Sequence, residues 1–421
     1  MINKKYLTLL DKQDSLSLYI HIPFCNTKCS YCAFYSESKN NWNDNKINLY
    51  INKLNRELDI IKSYYNRPFD TVFIGGGNPG VLSFNQLRNL LIKIGPSKET
   101  SFEINPETLR EKHISLIKEG LATRISVGIQ SFNDNILNLL KRNARKVDNL
   151  RALKIISELD NIEIDFDNNY FIKNDIISKE NYRKLNTKIK YSFDLMTSLP
   201  TQTLDDCIND IKLLLNNTKL EHLSLYCLSI EEGTQLFNLV HDHKINKNND
   251  IFEKNLLENI WNYLENIGFD HYEVSNFSKG DNKCLHNLNY WSLSSYISLG
   301  SSSASSIYDD KTLIRLTNIS NINKYLNHDL LDDYEIEKLT KYEHLDEYLI
   351  VTLRNKRGIS YKYMKKYFDI DKNVLNDAFS RLNSDTYIVN NDTINLTREG
   401  FILLDTLVLD LSIYLENFLT K

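Results

Sequence analysis

The chain is poor in the residues that interrupt secondary structure. Its 421 residues include 13 glycines and 6 prolines, about 3% and 1.4% against typical shares of roughly 7% and 5%. That excludes a collagen-like, linker-dominated or Gly/Pro-rich low-complexity chain. Cysteine is scarce as well, with six in all, too few for a disulfide scaffold at this length. No run approaches the roughly 18 apolar residues that cross a bilayer. Neither sign of charge dominates: 51 basic residues face 55 acidic ones, for a net charge of -4. No basic excess therefore steers the whole chain toward nucleic acid. Met1–Lys5 is basic, but the apolar stretch after it is short and broken by Asp11, Lys12 and Asp14. No secretory signal is expected, and the expected location is cytoplasmic.

What is present describes an ordinary globular protein, 42% hydrophobic and 25% charged. Its length calls for two or three domains. Because Gly, Pro and Cys are rare, the places that keep them are informative. Four glycines lie between Gly75 and Gly80, three cysteines lie between Cys25 and Cys32, and the last proline is Pro200.

The first half alternates strand and helix signals. Leu16–Phe24, Asp70–Ile74, Ser101–Asn105, Arg124–Gln130, Ser192–Met196 and His222–Ile230 read as strands. Ile47–Tyr65, Gln86–Ile94, Thr108–Glu119, the stretch up to Leu159, and Asp205–Leu215 read as helices. Such alternation implies βαβ units and a parallel sheet. Right-handed crossovers then close it toward a full or partial barrel, with functional groups at the carboxyl ends of the strands. Asp160–Lys190 is rich in Asn, Asp and Lys where a short connection suffices, so it reads as an insertion. Toward the C-terminus, helical stretches at Glu347–Leu353, Tyr361–Phe368 and Lys372–Leu382 precede a hairpin signal at Tyr387–Leu396, and Glu399–Leu411 closes as a helix. Three short helices and a hairpin make a winged-helix pattern. Without a basic surplus, a protein-contact or lid role is expected there, with no nucleic acid.

The sharpest chemical signal is Cys25-x3-Cys29-x2-Cys32, directly after the first strand. Three thiolates on one loop reach three corners of a compact iron–sulfur cluster and leave a fourth iron open to a substrate. Zinc on the same cysteines, with or without His21, is the alternative that this spacing disfavours. The run Ile74-Gly75-Gly76-Gly77-Asn78-Pro79 ends the second strand, where glycines allow close backbone approach. Cys207 and Cys227 read as core residues, and Cys284 as a buried free thiol.

The cysteine spacing and the glycine run together resemble the radical S-adenosylmethionine (SAM) superfamily. LYIHIPFC, EINPETL, RISVGIQSFND, DLMTSLPTQT, HLSLYCLSIEEGT and YEVSNFSKGDNKCLHNLNYW are similar, in order, to the oxygen-independent coproporphyrinogen-oxidase-like branch, above all to its heme chaperones. The resemblance runs from about Leu16 to the C-terminus, apart from the insertion. It implies a partial (β/α)6 TIM-like barrel over residues 1–330 and a small winged-helix-like domain over 331–421. It implies a [4Fe–4S] cluster on Cys25, Cys29 and Cys32. SAM would then lie among Tyr19, Tyr31, Gly76, Gly77, Asn78, Glu103, Gln130, Arg142 and Asp194. His286-Asn287-Leu288-Asn289-Tyr290-Trp291 resembles the branch's HNxxYW motif, which makes His286 a candidate heme ligand.

The partners so implied are heme or a related tetrapyrrole, an electron donor of flavodoxin or ferredoxin type, and a heme-acceptor protein. Heme binding and transfer is the function expected. The alternatives are radical decarboxylation of coproporphyrinogen and radical chemistry on another substrate. The true oxidases carry a fourth cysteine where Phe34 stands here. The branch's usual patterns also change at Ala33, at Lys141–Ala144, at Ser198–Thr203 and at Gly300–Ser305.

Overall fold

A computed structural model describes residues 4–185, 187–328, 331 and 334–419. Met1–Asn3 and the domain boundary expected at residue 330 lie outside the described residues.

Six strands carry apolar residues at alternate positions: β1 (Ser17–Ile22), β2 (Thr71–Gly76), β3 (Glu99–Ile104), β4 (Arg124–Gln130), β5 (Lys190–Thr197) and β6 (His222–Cys227). One set of side chains, such as Leu18 and Ile20, Phe102 and Ile104, and Phe193 and Leu195, is fully or almost fully buried in the main core. A side-chain period of two sends the residues between them to the other face. The crossovers carry α1 (Asp44–Tyr64), α2 (Phe84–Ile94), α3 (Lys112–Lys118), α4 (Lys146–Ile156) and α5 (Leu204–Asn217), and α6 (Asp250–Asn266) follows β6. Leu54, Leu58, Leu87, Leu91, Leu153 and Ile211 from these helices cover the apolar face of the strands. Local chemistry fixes where the helices begin. The Ser83 hydroxyl accepts from the Gln86 N–H at 3.2 Å while the Gln86 side chain accepts from the Ser83 N–H at 2.8 Å. Thr203 and Asp206 repeat this reciprocal cap at the start of α5.

Strands β1 to β6 lie side by side in sequence order, all parallel. That is the partial (β/α)6 barrel. The sheet continues on both sides. Beyond β6 it adds the antiparallel strands β7 (Asp270–Glu273) and β8 (Asn276–Ser278), with β8 next to β6. A short helix, α7 (Leu285–Trp291), packs against β2. Beyond β1 the sheet adds the parallel strand β9 (Tyr296–Leu299), then antiparallel β10 (Ala304–Asp309), β11 (Thr312–Thr317) and β12 (Glu335–Lys338). The large sheet thus reaches past residue 330.

The C-terminal unit starts with α8 (Lys341–Thr352), followed by β13 (Ile359–Ser360), a helical stretch over 361–368, and α9 (Lys372–Ser380). Strands β14 (Tyr387–Val389) and β15 (Thr393–Leu396) pair across an Asn-Asn-Asp turn, and β13 pairs with β15. The long helix α10 (Leu404–Leu419) packs on α8. This is the winged-helix-like arrangement. It is laced to the barrel: the Val274 N–H donates to the Arg354 carbonyl at 2.9 Å, and the Asn355 side chain donates to the Trp291 carbonyl at 3.1 Å.

The segment over 160–190 forms two short helices, Tyr170–Lys173 and Lys179–Lys184. Phe171 and Tyr182 are each 1% exposed within the main core, and the Tyr170 N–H donates to the Glu119 carbonyl at 2.7 Å. The insertion is therefore docked by two aromatic anchors. Among the described residues, no helix is long and apolar enough to cross a membrane.

Candidate functional site

The face of the barrel strands opposite the helices is largely polar, with small residues along β4, β5 and β6. Ser126 and Ser192 are inward residues of β4 and β5, Ser224 of β6, and Gly128 also belongs to β4. Barrel interiors are ordinarily filled by bulky aliphatic side chains. Small inward residues leave room instead, and two cavities result. The first, of about 520 Å³, is lined by Cys25, Cys29, Cys32, Arg142 and Gln130 among others. The second, of about 430 Å³, reaches Tyr19, Phe73, Ser126, Ser192, Ser224, Tyr290 and Trp291. Phe34, Gly76, Glu103, Asp194 and Tyr226 line both.

The cysteine loop is pinned at both ends and in the middle. Phe24–Cys25 pairs with Glu37–Ser38. The Ser30 N–H donates to the Leu140 carbonyl at 2.9 Å, and the Leu236 N–H donates to the Ser30 carbonyl at 2.7 Å. All three cysteines are free and partly buried. Burial pushes the Cys25 thiol up to about 12 and raises that of Cys32. Their thiolates therefore need positive charge close by. Arg142 supplies one source, with Nη1 3.8 Å from the Cys29 sulfur, and an iron–sulfur cluster would supply the rest. Among the described residues, no three His, Cys, Asp or Glu side chains converge on a single ion.

The glycine run earns its place by packing against the cysteine loop. A Cβ on Gly77 would stand 2.8 Å from the carbonyl oxygens of Ile22 and Phe24, and one on Gly75 would stand 2.7 Å from Glu103 Oε2. Gly76 has φ +105°, and its Cβ would meet the His21 ring at 2.4 Å. The Gly77 and Asn78 N–H groups donate to the Ile22 and Phe24 carbonyls, each at 2.8 Å. The Asn78 side chain is likewise turned inward, accepting from the Gly80 and Asn105 N–H groups at 3.0 and 3.2 Å. Gly76, Gly77 and Asn78 line the first cavity, where their contribution is backbone.

Glu103 and Asp194 face the shared wall of the cavities. Burial, reinforced by Asp194, pushes the Glu103 carboxyl up to about 8 against a hydrogen bond from Gly76. Burial pushes Asp194 up to about 6, opposed by the hydroxyls of Ser224 and Ser126. Ser126 Oγ lies 3.2 and 3.1 Å from the two Asp194 oxygens, and Ser192 Oγ donates to Ser126 Oγ at 3.0 Å. Gln130 sits at φ 57° and carries a buried Oε1 with no partner among the described residues. Arg142 is anchored to the Gly128 carbonyl and, at 3.3 Å, to Asn105 Oδ1. Burial opposes its charge, but Cys29 and Tyr31 more than compensate, so its pKa is raised.

Tyr31, Gly76, Gly77, Asn78, Glu103, Gln130, Arg142 and Asp194 therefore meet the three cysteines around one cavity, while Tyr19 lines the second. His286 lines neither. Both of its ring nitrogens are engaged, Nδ1 with Thr71 Oγ1 at 2.8 Å and Nε2 with Tyr290 OH at 2.9 Å, and its ring stacks on Phe73. Burial lowers its pKa to about 3. The neutral ring holds Tyr290 in place and offers iron no free nitrogen in this arrangement. Cys207 and Cys284 are buried as expected, whereas Cys227 is exposed because it ends β6 beyond the helical cover.

Sequence reasoning missed Asn105 and Gly128, which hold Arg142, and the serines that hollow the barrel. The alternation of serine with Ile, Phe or Leu along β4, β5 and β6 is their signal. A strand buried on both faces normally reads as an unbroken apolar run. The altered stretch Gly300–Ser305 lies outside both cavities. It is a buried turn in which Ser301 and Ser303 hydroxyls donate to the Ile319 and Gly300 carbonyls, each at 2.7 Å.

Residues 19–172 match the model of the Radical SAM superfamily. A protein of Escherichia coli named Heme chaperone HemW is 31% identical over 319 residues, covering 73% of this chain and 74% of the relative. Proteins of the same name from Buchnera aphidicola and Bacillus subtilis are each 29% identical. They cover 93% and 83% of this chain, and 97% and 86% of their own lengths. Among solved structures, the E. coli coproporphyrinogen III oxidase HemN, titled a radical SAM enzyme, superposes with a TM-score of 0.73 at 16% identity. That match covers 98% of this chain and 94% of the oxidase. It is a likeness of fold.

Proposed function

The chain belongs to the HemW family of radical S-adenosylmethionine proteins, and from that premise we propose that it is a heme chaperone. It binds a [4Fe–4S] cluster on Cys25, Cys29 and Cys32, SAM beside the cluster, and heme in the adjoining cavity, for transfer to an acceptor protein. The observation that carries this reading is the joining of two cavities in one barrel. One is walled by the three cysteines, and the other by Tyr290 and Trp291 of the HNxxYW motif.

The residues fit the groups. Three partly buried thiols with Arg142 beside them suit a cluster that needs three protein ligands. The cluster, when bound, supplies one-electron chemistry at its open iron. Glu103, Asp194 and the unpartnered Gln130 Oε1 offer acceptors to the hydroxyl and ammonium groups of SAM. Arg142 holds its positive charge against the Cys29 sulfur. Tyr290 and Trp291 offer aromatic faces to a flat macrocycle.

The test is anaerobic reconstitution with iron and sulfide, followed by heme titration with and without SAM. A Soret band that saturates at one heme per chain is expected. No heme uptake, or conversion of coproporphyrinogen to protoporphyrinogen by the reduced protein, overturns the chaperone reading.

A further inference from the structure

The second cavity has a polar corner that nothing among the described residues satisfies. Glu273 on β7 and Asn276 on β8 are 0% and 1% exposed, and each lines the cavity. Glu273 Oε1 accepts from the Ser275 N–H at 3.0 Å and from the Asn276 side chain. Glu273 Oε2 and Asn276 Oδ1 have no partner among the described residues. Trp291, at the end of α7, and Arg354, just after α8, line the same cavity. Trp291 Nε1 and Arg354 Nε are buried donors that are also without partners there. The Arg354 guanidinium lies 5.0 Å from the centre of the Trp291 ring.

Buried polar atoms are nearly always hydrogen-bonded, and leaving one unpaired is costly. Six such atoms belong to residues lining this cavity, Arg124 Nη1 and His222 Nδ1 besides the four above, and those four, drawn from three separate segments, form a cradle that a ligand completes. The segments are held together around it. The Asn355 side chain donates to the Trp291 carbonyl at 3.1 Å, the Val274 N–H donates to the Arg354 carbonyl at 2.9 Å, and Glu273 bridges to Asn355. The cradle lies level with the rest of the inward polar row, because Asp194, Ser224, Asn276 and Glu273 face one another in register across four strands.

We propose that Trp291 and Arg354 bind a carboxylate of the ligand, and that this contact selects tetrapyrroles with free propionates. The inference rests on the tetrapyrrole reading above and goes beyond it by naming which group is recognised and by which residues. An indole N–H and a guanidinium N–H are donors only, so they call for an acceptor, and a carboxylate gives the guanidinium its counter-charge. Burial raises the Glu273 pKa against the Asn276 hydrogen bond and the charge of Arg354, and the protonated form so favoured can donate from Oε2 to the same carboxylate. Arg354 comes from the C-terminal unit, so ligand recognition involves both parts of the chain. It is a positioning residue and touches no reacting atom.

The experiment compares heme with heme dimethyl ester, which lacks free carboxylates, on reconstituted full-length protein. Wild type, Arg354→Gln and Trp291→Phe are titrated, and the cluster absorbance of each variant serves as the folding control. Wild type is expected to bind heme about tenfold or more tightly than the ester, as one charge-assisted contact allows. Arg354→Gln is expected to weaken heme and leave the ester unchanged, whereas Trp291→Phe, whose ring also faces the macrocycle, is expected to weaken heme more than the ester, so the preference shrinks in both. Equal affinity of wild type for heme and ester overturns the proposal while sparing the chaperone reading. A variant that keeps the full preference removes its own residue from the site. Should wild type bind neither porphyrin, both the site and the chaperone reading fall.

Discussion

Replacing Glu99 by glutamine removes one negative charge from a buried network and alters its shape little. Arg124 and Lys190 both reach Glu99 Oε2, at 3.1 and 3.4 Å, and the Arg124 and Glu99 side chains are 1% and 2% exposed. Glu99 Oε1 accepts from the Leu285 N–H at 2.8 Å, so the same carboxylate holds the first turn of α7. Burial pushes this carboxyl up, but the charges of Arg124 and Lys190 outweigh burial and hold it below the ordinary value. A carboxyl depressed by folding contributes stability above its unfolded pKa and loses it as pH falls through the folded one. In the glutamine variant two cations stay buried without a counter-charge, and removing one member of a buried pair costs about 3–5 kcal/mol. Glutamine keeps an oxygen for the Leu285 N–H, so the loss is electrostatic. Urea unfolding near neutral pH, read by tryptophan fluorescence, measures it, and Trp291 reports from α7 itself. The variant is expected to lose about 3 kcal/mol or more, and wild type is expected to approach it only under acid conditions. Replacing the three charges together, Glu99→Leu with Arg124→Met and Lys190→Met, is expected to recover most of the loss, because the cost lies in unpaired charge. A loss within the ~1 kcal/mol of an exposed pair refutes this reasoning, as does a triple variant weaker than the single one.

Gly76→Ala places a side chain at φ +105° and a Cβ 2.4 Å from the His21 ring. It is expected to cost about 1–3 kcal/mol from backbone strain alone and to lower iron retention after reconstitution; an unchanged urea midpoint contradicts it. Phe171→Ala is expected to cost about 3–5 kcal/mol because the ring is a core anchor, and a neutral result would detach the insertion from the fold. Glu103 is raised to about 8, so its ionisation costs the fold stability as pH climbs from the carboxylate range through that value. SAM hydroxyls that bond its ionised form are expected to expel the proton near neutral pH. Calorimetry in two buffers of unlike ionisation heat measures that release, and a buffer-independent heat, or Glu103→Gln releasing as many protons as wild type, contradicts it.

Strand order and the cluster loop were legible because both are local. Asp70–Ile74 runs into three glycines, and Cys25, Cys29 and Cys32 fall within one turn of chain, so neither needed a distant partner. Strand ends shifted by a few residues, as with Ser101–Asn105 against Glu99–Ile104, because Glu99 reads as polar until Arg124 and Lys190 are seen to bury it. The place of His286 was not legible. An imidazole next to Tyr and Trp reads as a ligand, and only the tertiary fold places Thr71, far away in sequence, on its Nδ1. The reason for the glycines was half legible. A close approach was foreseen, yet the surfaces they meet are the strand before the cysteines and the His21 ring. The carboxylate corner needed Arg354, Trp291 and Glu273 together, and only tertiary folding joins them.

The central claim is an iron–sulfur cluster held by three cysteines with one iron left open. Electron paramagnetic resonance of the anaerobically rebuilt, dithionite-reduced protein tests it most directly, recorded before and after SAM is added. The account predicts a reduced [4Fe–4S] signal that changes shape with SAM and is absent when Cys25, Cys29 and Cys32 are all alanine. A protein that takes up zinc instead of iron, or a cluster signal indifferent to SAM, contradicts it.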